Sequence, residues 1–258
     1  QIQLKQQKDA EKREKYKLYG ELINVYGYNL EEGAKELIAP NFYDDNKEIK
    51  IPLDPTKTAR ENSQKYFDRY GKLKRTAEAL DTLLAETKAE IDHLESIQNS
   101  LDIALSADDL VQIKQELMEY GFIKKHRTGK KEKVKSKPFH YISSDGYDMY
   151  VGKNNYQNDE LTFKFATGND WWFHAKGMPG SHVVVKNKGE EMPDRVYEEA
   201  AMLAGYYSKG RESDKIEIDY LQKKNVKKPA GSAPGFVVYY TNFSMTIHPD
   251  ISNLKLID

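Results

Sequence analysis

Apolar positions recur at two different periods along this chain, and the change of period divides it. From residue 1 to about 39, Leu4, Leu18, Leu22 and Val25 keep a helical rhythm, with Glu11 and Lys15 on the same stripe. Gln1 to Lys17 are mostly charged or amide-bearing, as on the exposed strand of a coiled coil. Gly27 and Gly33 weaken the helix beyond that point. Tyr16, Tyr19, Tyr26 and Tyr28 read as packing residues ahead of a stacking platform. A hairpin is expected between Asn41 and Leu53, where Phe42-Tyr43 and Ile49-Lys50-Ile51 flank the turn-forming Asp44-Asp45-Asn46-Lys47.

The longest helix is announced by a capping box, Thr58-Ala59-Arg60-Glu61. Tyr66, Tyr70, Leu73, Ala77, Leu80, Leu84, Thr87, Ile91, Leu94, Gln98 and Leu101 then alternate at four and three residues, a coiled-coil seam. From Ala59 to Ala104 it spans about 69 Å at 1.5 Å per residue. The N-terminal helix, antiparallel to it, offers only about 30 Å. The surplus predicts self-association through residues 84–101. Ser106-Ala107-Asp108-Asp109 caps a further helix with Leu110, Ile113, Leu117 and Tyr120 on one face.

The second pattern begins at Phe139. Phe139–Ser143 and Tyr147–Val151 flank Asp145-Gly146, a type I′ hairpin signal. Pro193 to Lys209 reads as a helix, and Lys215–Leu221 alternates like a half-buried strand. Phe236–Tyr240 and Ser244–His248 are expected to be closing strands. The expected architecture is α+β: a long antiparallel α-helical coiled coil with a hairpin-bearing tip, then a mixed α+β domain. The boundaries fall at 1–122, a basic linker 123–138, and 139–258.

Charge sharpens the division. The net charge of −1 hides 22 basic and 17 acidic residues after position 120, against 18 and 24 before it. The lysine-rich run Lys124 to Lys137 reads either as a solvated linker or as a phosphate-contacting segment. The chain has no cysteine, so disulfides, thiolate metal sites and a cysteine nucleophile are excluded. No apolar run approaches a membrane span. The sequence opens without Met and inside a helical pattern, as an excised fragment would. A reducing cytoplasm suits the composition.

Candidate chemistry is densest between Lys153 and Lys186. Lys153-Asn154-Asn155 and Gln157-Asn158-Asp159 precede Asp170-Trp171-Trp172-Phe173-His174-Ala175-Lys176, and Pro179-Gly180-Ser181-His182 leads into three valines. His140, His174 and His182 match no metal-ligand spacing. Ser181 lacks a nucleophile elbow, and no phosphate-binding Walker loop is present. A binding module is therefore expected, with no catalysis and no cofactor. Strand alternation puts Trp172, His174 and Lys176 on one face. That row fits base stacking plus phosphate contact; it also fits a polar network that only holds the loops together.

These blocks resemble the NFACT-R domain. The resemblance rests on Gly152 to Asp159, Trp172-Phe173-His174 with Lys176, and Pro179 to Val183. It extends through Glu199-Ala200-Ala201, Tyr206 to Lys209, Val226-Lys227-Lys228-Pro229, and Pro234-Gly235. Upstream, Leu18 to Leu22 and Ile51 to Pro55 resemble the same family's middle region. The family comprises ribosome quality-control factors. The resemblance implies binding to obstructed large ribosomal subunits with peptidyl-tRNA. It also implies tRNA recruitment for message-independent alanine tailing, with the arm tip near Tyr26 to Arg60 on rRNA and stalk-base protein. The implied nucleic-acid contacts are Lys153, Asn154, Asn155, Gln157, Asn158, Asp159, Trp172, His174, Lys176, Gly180, Ser181, His182, Lys227 and Lys228. Bacterial members carry a fibronectin-binding tradition, so a surface adhesin is the competing reading, and a plain coiled-coil scaffold a third.

Overall fold

In the computed structural model, which describes residues 2–124 and 133–257, the chain divides into two compact units, Gln1–Lys88 and Ala89–Asp258. The middle of the basic run, residues 125–132, lies outside the described residues.

In the first unit, helix α1 (Ile2–Tyr26) gives way to a single 3-10 turn at Gly27–Asn29. The helix expected to reach residue 39 therefore stops early, and Glu36–Asn41 is instead strand β1. It pairs antiparallel with β2 (Lys47–Pro52), Leu37 opposite Ile51 and Ala39 opposite Ile49. The hairpin is real, but Phe42 and Tyr43 belong to its turn and are exposed. Asp45 and Asn46 both take positive φ, 46° and 57°, a conformation these residues tolerate better than most.

Helix α2 (Ala59–Ile103) starts at the expected box. Glu61 accepts from the Thr58 N–H at 2.8 Å and hydroxyl at 2.9 Å, while the Glu61 N–H donates to Thr58 Oγ1 at 3.2 Å. Contacts with α1 run in opposite senses along the two helices. Gly27 lies against Ala59, the Ser63 hydroxyl donates to Gly20 O at 2.9 Å, and Tyr16 stacks on Tyr66. Gly20 is required there, because a Cβ would come within 2.8 Å of the Phe67 ring. The apolar centre of this unit is Tyr19, Leu22, Ile23, Leu37, Ala39, Ile51 and Tyr66. From Leu80 to Glu90 every residue of α2 is exposed.

The second unit takes Ala89–Ile103 of α2 and helix α3 (Ala107–Glu119). Here the buried face differs from the expected seam. Leu94 and Leu101 are exposed, while Ile97, Asn99, Ser100 and Ile103 are buried. On α3 the buried residues are Asp109, Ile113 and Glu116, and Leu110 and Tyr120 face solvent. Apolar periodicity placed Ile113 correctly but misassigned Leu94, Leu101, Leu110 and Tyr120, because a serine, an amide and two acids share the buried faces with the isoleucines.

Among the described residues the sheet has seven strands, all antiparallel neighbours. They are β3 (Phe139–Ile142), β4 (Asp148–Val151), β5 (Trp171–Ala175), β6 (Val183–Val185), β7 (Ile216–Gln222), β8 (Phe243–Ile247) and β9 (Lys255–Leu256). Their order is β8-β7-β5-β6-β4-β3-β9. Phe236–Tyr240, expected to be a strand, forms only an isolated bridge of Val238 with Lys227. The β3–β4 turn is not type I′ either. Gly146 alone has positive φ, 77°, and its N–H donates to Ser143 O at 2.9 Å, a type I turn relieved by a glycine.

Alternation sends successive side chains to opposite faces. Phe139, Tyr141, Met149, Val151, Phe173, Ala175 and Val183 pack with helix α4 (Asp194–Tyr206), through Val196, Ala200 and Leu203. The other face carries Trp172, Val184 and Leu221, covered by Leu161, Ala166 and Val226. Asn155–Glu160, a short helical turn, and the π-helical turn Leu161–Phe165 provide part of that cover.

Candidate nucleic-acid interface

The short helix at 155–160 forms because Asn154 caps it. Its backbone is extended, and its Oδ1 accepts from the Gln157 N–H at 3.0 Å. Gly152 lets it lie close to the sheet, since a Cβ there would sit 2.1 Å from Asn158 Oδ1. That oxygen instead accepts from the His182 N–H at 3.0 Å. The remaining amides also point inward. Asn155 Nδ2 donates to Ser96 Oγ and Glu116 Oε1, both at 2.8 Å. Gln157 Nε2 donates to Gln112 Oε1 at 3.1 Å and Ser136 Oγ at 3.0 Å.

The flanking charges are committed as well. Lys153 Nζ lies 3.2 Å from Asp109 Oδ1 and 4.3 Å from the Phe139 ring centroid, with its side chain 14% exposed. Asp109 is held below the usual carboxylate range against its burial by Ser136, the Leu105 N–H and Lys153. Asp159 binds Lys228 Nζ at 2.6 Å and accepts from the Gly235 N–H at 2.9 Å.

Trp172 is fully buried, so the expected stacking role fails for it, whereas His174, stacked on it in the same strand row, is partly open. Its Nε1–H donates to Thr162 Oγ1 at 3.2 Å, and that hydroxyl lies 2.8 Å from His182 Nδ1. Ser181 Oγ donates to Gly152 O at 2.6 Å, and Gly180 bridges to Ser208. The His174 and His182 rings stand perpendicular, 5.5 Å apart. Desolvation pushes His174 down to about 4 and His182 well below the ordinary imidazole value. Both are neutral at physiological pH. Thus Asn154, Asn155, Gln157, Asn158, Trp172, Ser181 and His182 come together as an interior network, one of the two arrangements the sequence left open.

Lys176 and Lys227 are surface groups. Lys176 is 47% exposed but pairs with Glu217 at 2.5 Å. Lys227 is exposed, as are Lys224 and Lys164, which the sequence reading passed over. Half-exposed rings occur further along the strand row that holds Trp172. The registers align Leu221, Trp172, Val184, Tyr150 and His140 across five strands. The first three are buried, whereas Tyr150 and His140 are partly open. The available signal was Tyr150 alternating with buried Met149 and Val151 in β4. Among the described residues no cluster of His, Asp and Glu has metal-binding geometry, and no helix is long and apolar enough to cross a membrane.

Comparison with known proteins places the geometry in context. Residues 1–136 match the model of the NFACT N-terminal and middle domains, and residues 137–240 match that of the NFACT protein RNA binding domain. A Streptococcus pneumoniae protein named Rqc2 homolog RqcH is 39% identical over 250 residues, covering 95% of this chain and 45% of its own length. The Bacillus subtilis protein of that name is 36% identical, covering 93% and 42%. The chain thus spans less than half the length of these relatives. A solved structure, the C-terminal of the fibronectin/fibrinogen-binding protein from Streptococcus suis, is 34% identical with a TM-score of 0.69, covering 96% of this chain and 91% of that one.

Two outcomes follow from the interior network. Unfolded histidine titrates near 6.5, so between that value and about 4 the unfolded chain binds protons that folded His174 and His182 refuse. Stability therefore falls as pH drops through this window, by roughly 3 kcal/mol for His174 alone near its lower end. Chemical-denaturation curves from pH 7.5 to 4.5 will show it, and His182→Gln will flatten the slope. An unchanged slope in that variant would place the acid sensitivity elsewhere. Second, Lys153→Glu sets a carboxylate against buried Asp109 and costs about 3 kcal/mol or more. Lys227→Glu, at an exposed position without a carboxylate partner among the described residues, leaves the melting temperature near that of the unaltered chain. Reversal of Lys153 thus reports on folding, not on phosphate contact, and equal melting temperatures for the two variants would contradict the assignment.

Proposed function

Because the chain belongs to the NFACT family, we propose that it is the C-terminal part of a ribosome quality-control factor that binds the obstructed large ribosomal subunit carrying peptidyl-tRNA. In this reading it supports tRNA recruitment for message-independent, C-terminal alanine tailing of stalled chains, in the cytoplasm. Its role is binding, not catalysis. The observation that carries the reading is the match of residues 137–240 to an RNA-binding domain, on a surface with exposed lysines. Lys164, Lys224 and Lys227 have no carboxylate partner among the described residues. Such lysines displace counterions from a phosphate backbone and make binding salt-dependent. In the first unit, the hairpin turn presents Phe42 and Tyr43, and Tyr28 is 80% exposed. These are the groups proposed to meet rRNA or stalk-base protein.

The exposed leucines of α2 carry a further part of the reading. Leu80, Leu83, Leu84, Ile91 and Leu94 are each more than 40% exposed. Such a stripe seeks a partner helix. Multi-angle light scattering at increasing concentration is expected to show a mass rising above 29.8 kDa. Leu84→Glu with Ile91→Glu restores the monomer. A constant monomeric mass at high concentration would remove self-association.

The decisive experiment is co-sedimentation with purified large ribosomal subunits across a salt series. Binding is expected to weaken with salt, and Lys224→Glu with Lys227→Glu to weaken it further at each concentration. Salt-insensitive binding, or none, would count against the reading. One observation favours a second reading, a surface adhesin: the solved structural neighbour is titled a fibronectin/fibrinogen-binding protein. Retention of the chain on immobilised fibronectin, without retention on ribosomal subunits, would select it.

A further inference from the structure

The Trp172 row emerges from its cover into a groove of about 560 Å³. Tyr150, His140 and Phe165 line it together with Gln112, Lys137 and Lys164. All belong to the second unit. The His140 and Tyr150 rings are parallel, 4.5 Å apart at 5°, and Phe165 meets Tyr150 edge-on at 4.7 Å. Phe165 is 41% exposed, although the other apolar residues of its turn, Leu161 and Phe163, pack into the cluster around Trp172. Lys186 Nζ lies 4.8 Å from the Phe165 centroid.

The polar groups are set apart from the rings. Lys137 and Lys164 are exposed and form no ion pair among the described residues, although Glu160 also lines the groove. Gln112 Oε1 accepts from both Asn154 Nδ2 and Gln157 Nε2, each at 3.1 Å. This fixes the amide orientation and leaves its Nε2 as a donor. The volume lies in the range of a small-molecule site. Flat rings, an oriented amide donor and two ammonium groups suit one nucleotide of single-stranded RNA.

We propose that this groove is a nucleotide subsite, in which an unstacked RNA base lies against Phe165 and Tyr150 while Lys137 and Lys164 hold the adjoining phosphates. Single-stranded RNA is favoured over a duplex because a base must leave its stack to reach these rings. The inference rests on the RNA-binding reading above and locates it on residues outside the blocks that carry the family resemblance.

The test uses the full 258-residue chain and fluorescein-labelled hexauridylate, followed by fluorescence anisotropy across a salt series. An otherwise identical oligomer with abasic riboses serves as the second probe. Phe165→Ala is expected to weaken binding of hexauridylate by about 5-fold or more, the effect of losing one base–aromatic stack. The abasic oligomer should bind the two proteins alike. Lys137→Gln with Lys164→Gln should lower the slope of log K against log salt by about 0.7 per lysine. Phe165→Leu, which keeps apolar bulk and loses the ring, guards against misfolding of the alanine variant and should also weaken hexauridylate binding. If the unaltered chain binds neither probe, the RNA-binding reading falls and this inference with it. If it binds hexauridylate but Phe165→Ala and Phe165→Leu bind equally well, the groove is not the subsite while RNA binding stands. A normal salt slope in the double lysine variant would likewise overturn the phosphate assignment.

Discussion

Each polar group carried into the interior by residues 152–159 must find a partner there, and the second unit is arranged around that demand. An unmade hydrogen bond in such a place costs about as much as a core truncation. Gly152, with no side chain, lets Asn158 reach the His182 backbone. Asn155 then requires Ser96 and Glu116, Gln157 requires Gln112 and Ser136, and Lys153 requires Asp109. Those partners come from α2, α3 and the segment before β3. One polar turn thereby ties two helices to the sheet with directional bonds, where apolar packing alone would tolerate sliding.

That demand explains which parts of the fold could be read from the sequence. Thr58 and Glu61 are local, so the start of α2 was legible to the residue. The strand at Lys215–Leu221 was legible for the same reason, because alternation is a local property. The faces of α2 and α3 were not. Leu94, Leu101 and Leu110 score as core residues, yet Ser100, Asp109 and Glu116 hold the interior positions. A buried acid is recognisable only once its lysine or amide partner is known, and Lys153 lies far from Asp109 in sequence.

The candidate site shows the same limit from another side. Period-two alternation correctly grouped Trp172 with His174, but it says nothing about whether a face is covered. The cover comes from Leu161, Ala166 and Val226, which no local rule connects to Trp172. Charge was equally ambiguous. Lys153, Lys186 and Lys228 look like Lys164, Lys224 and Lys227 in a composition count. In three dimensions the first three neutralise Asp109, Asp170 and Asp159, and the others remain as surface field. Only the second group can contribute to long-range attraction of a polyanion.

The π-helical turn at Leu161–Phe165 has a consequence of a different kind. It closes with the Ala166 N–H donating to Leu161 O at 2.8 Å, one residue wider than an α-helical turn. Removing one residue from this stretch would restore ordinary helical winding, and everything after it would swing about the axis by about 100°. Phe165 would then leave Tyr150, and Ala166 would leave the cover over Trp172. The placement of that aromatic edge is therefore encoded in the number of residues as much as in their identity. Along this segment, insertions and deletions act as rotations.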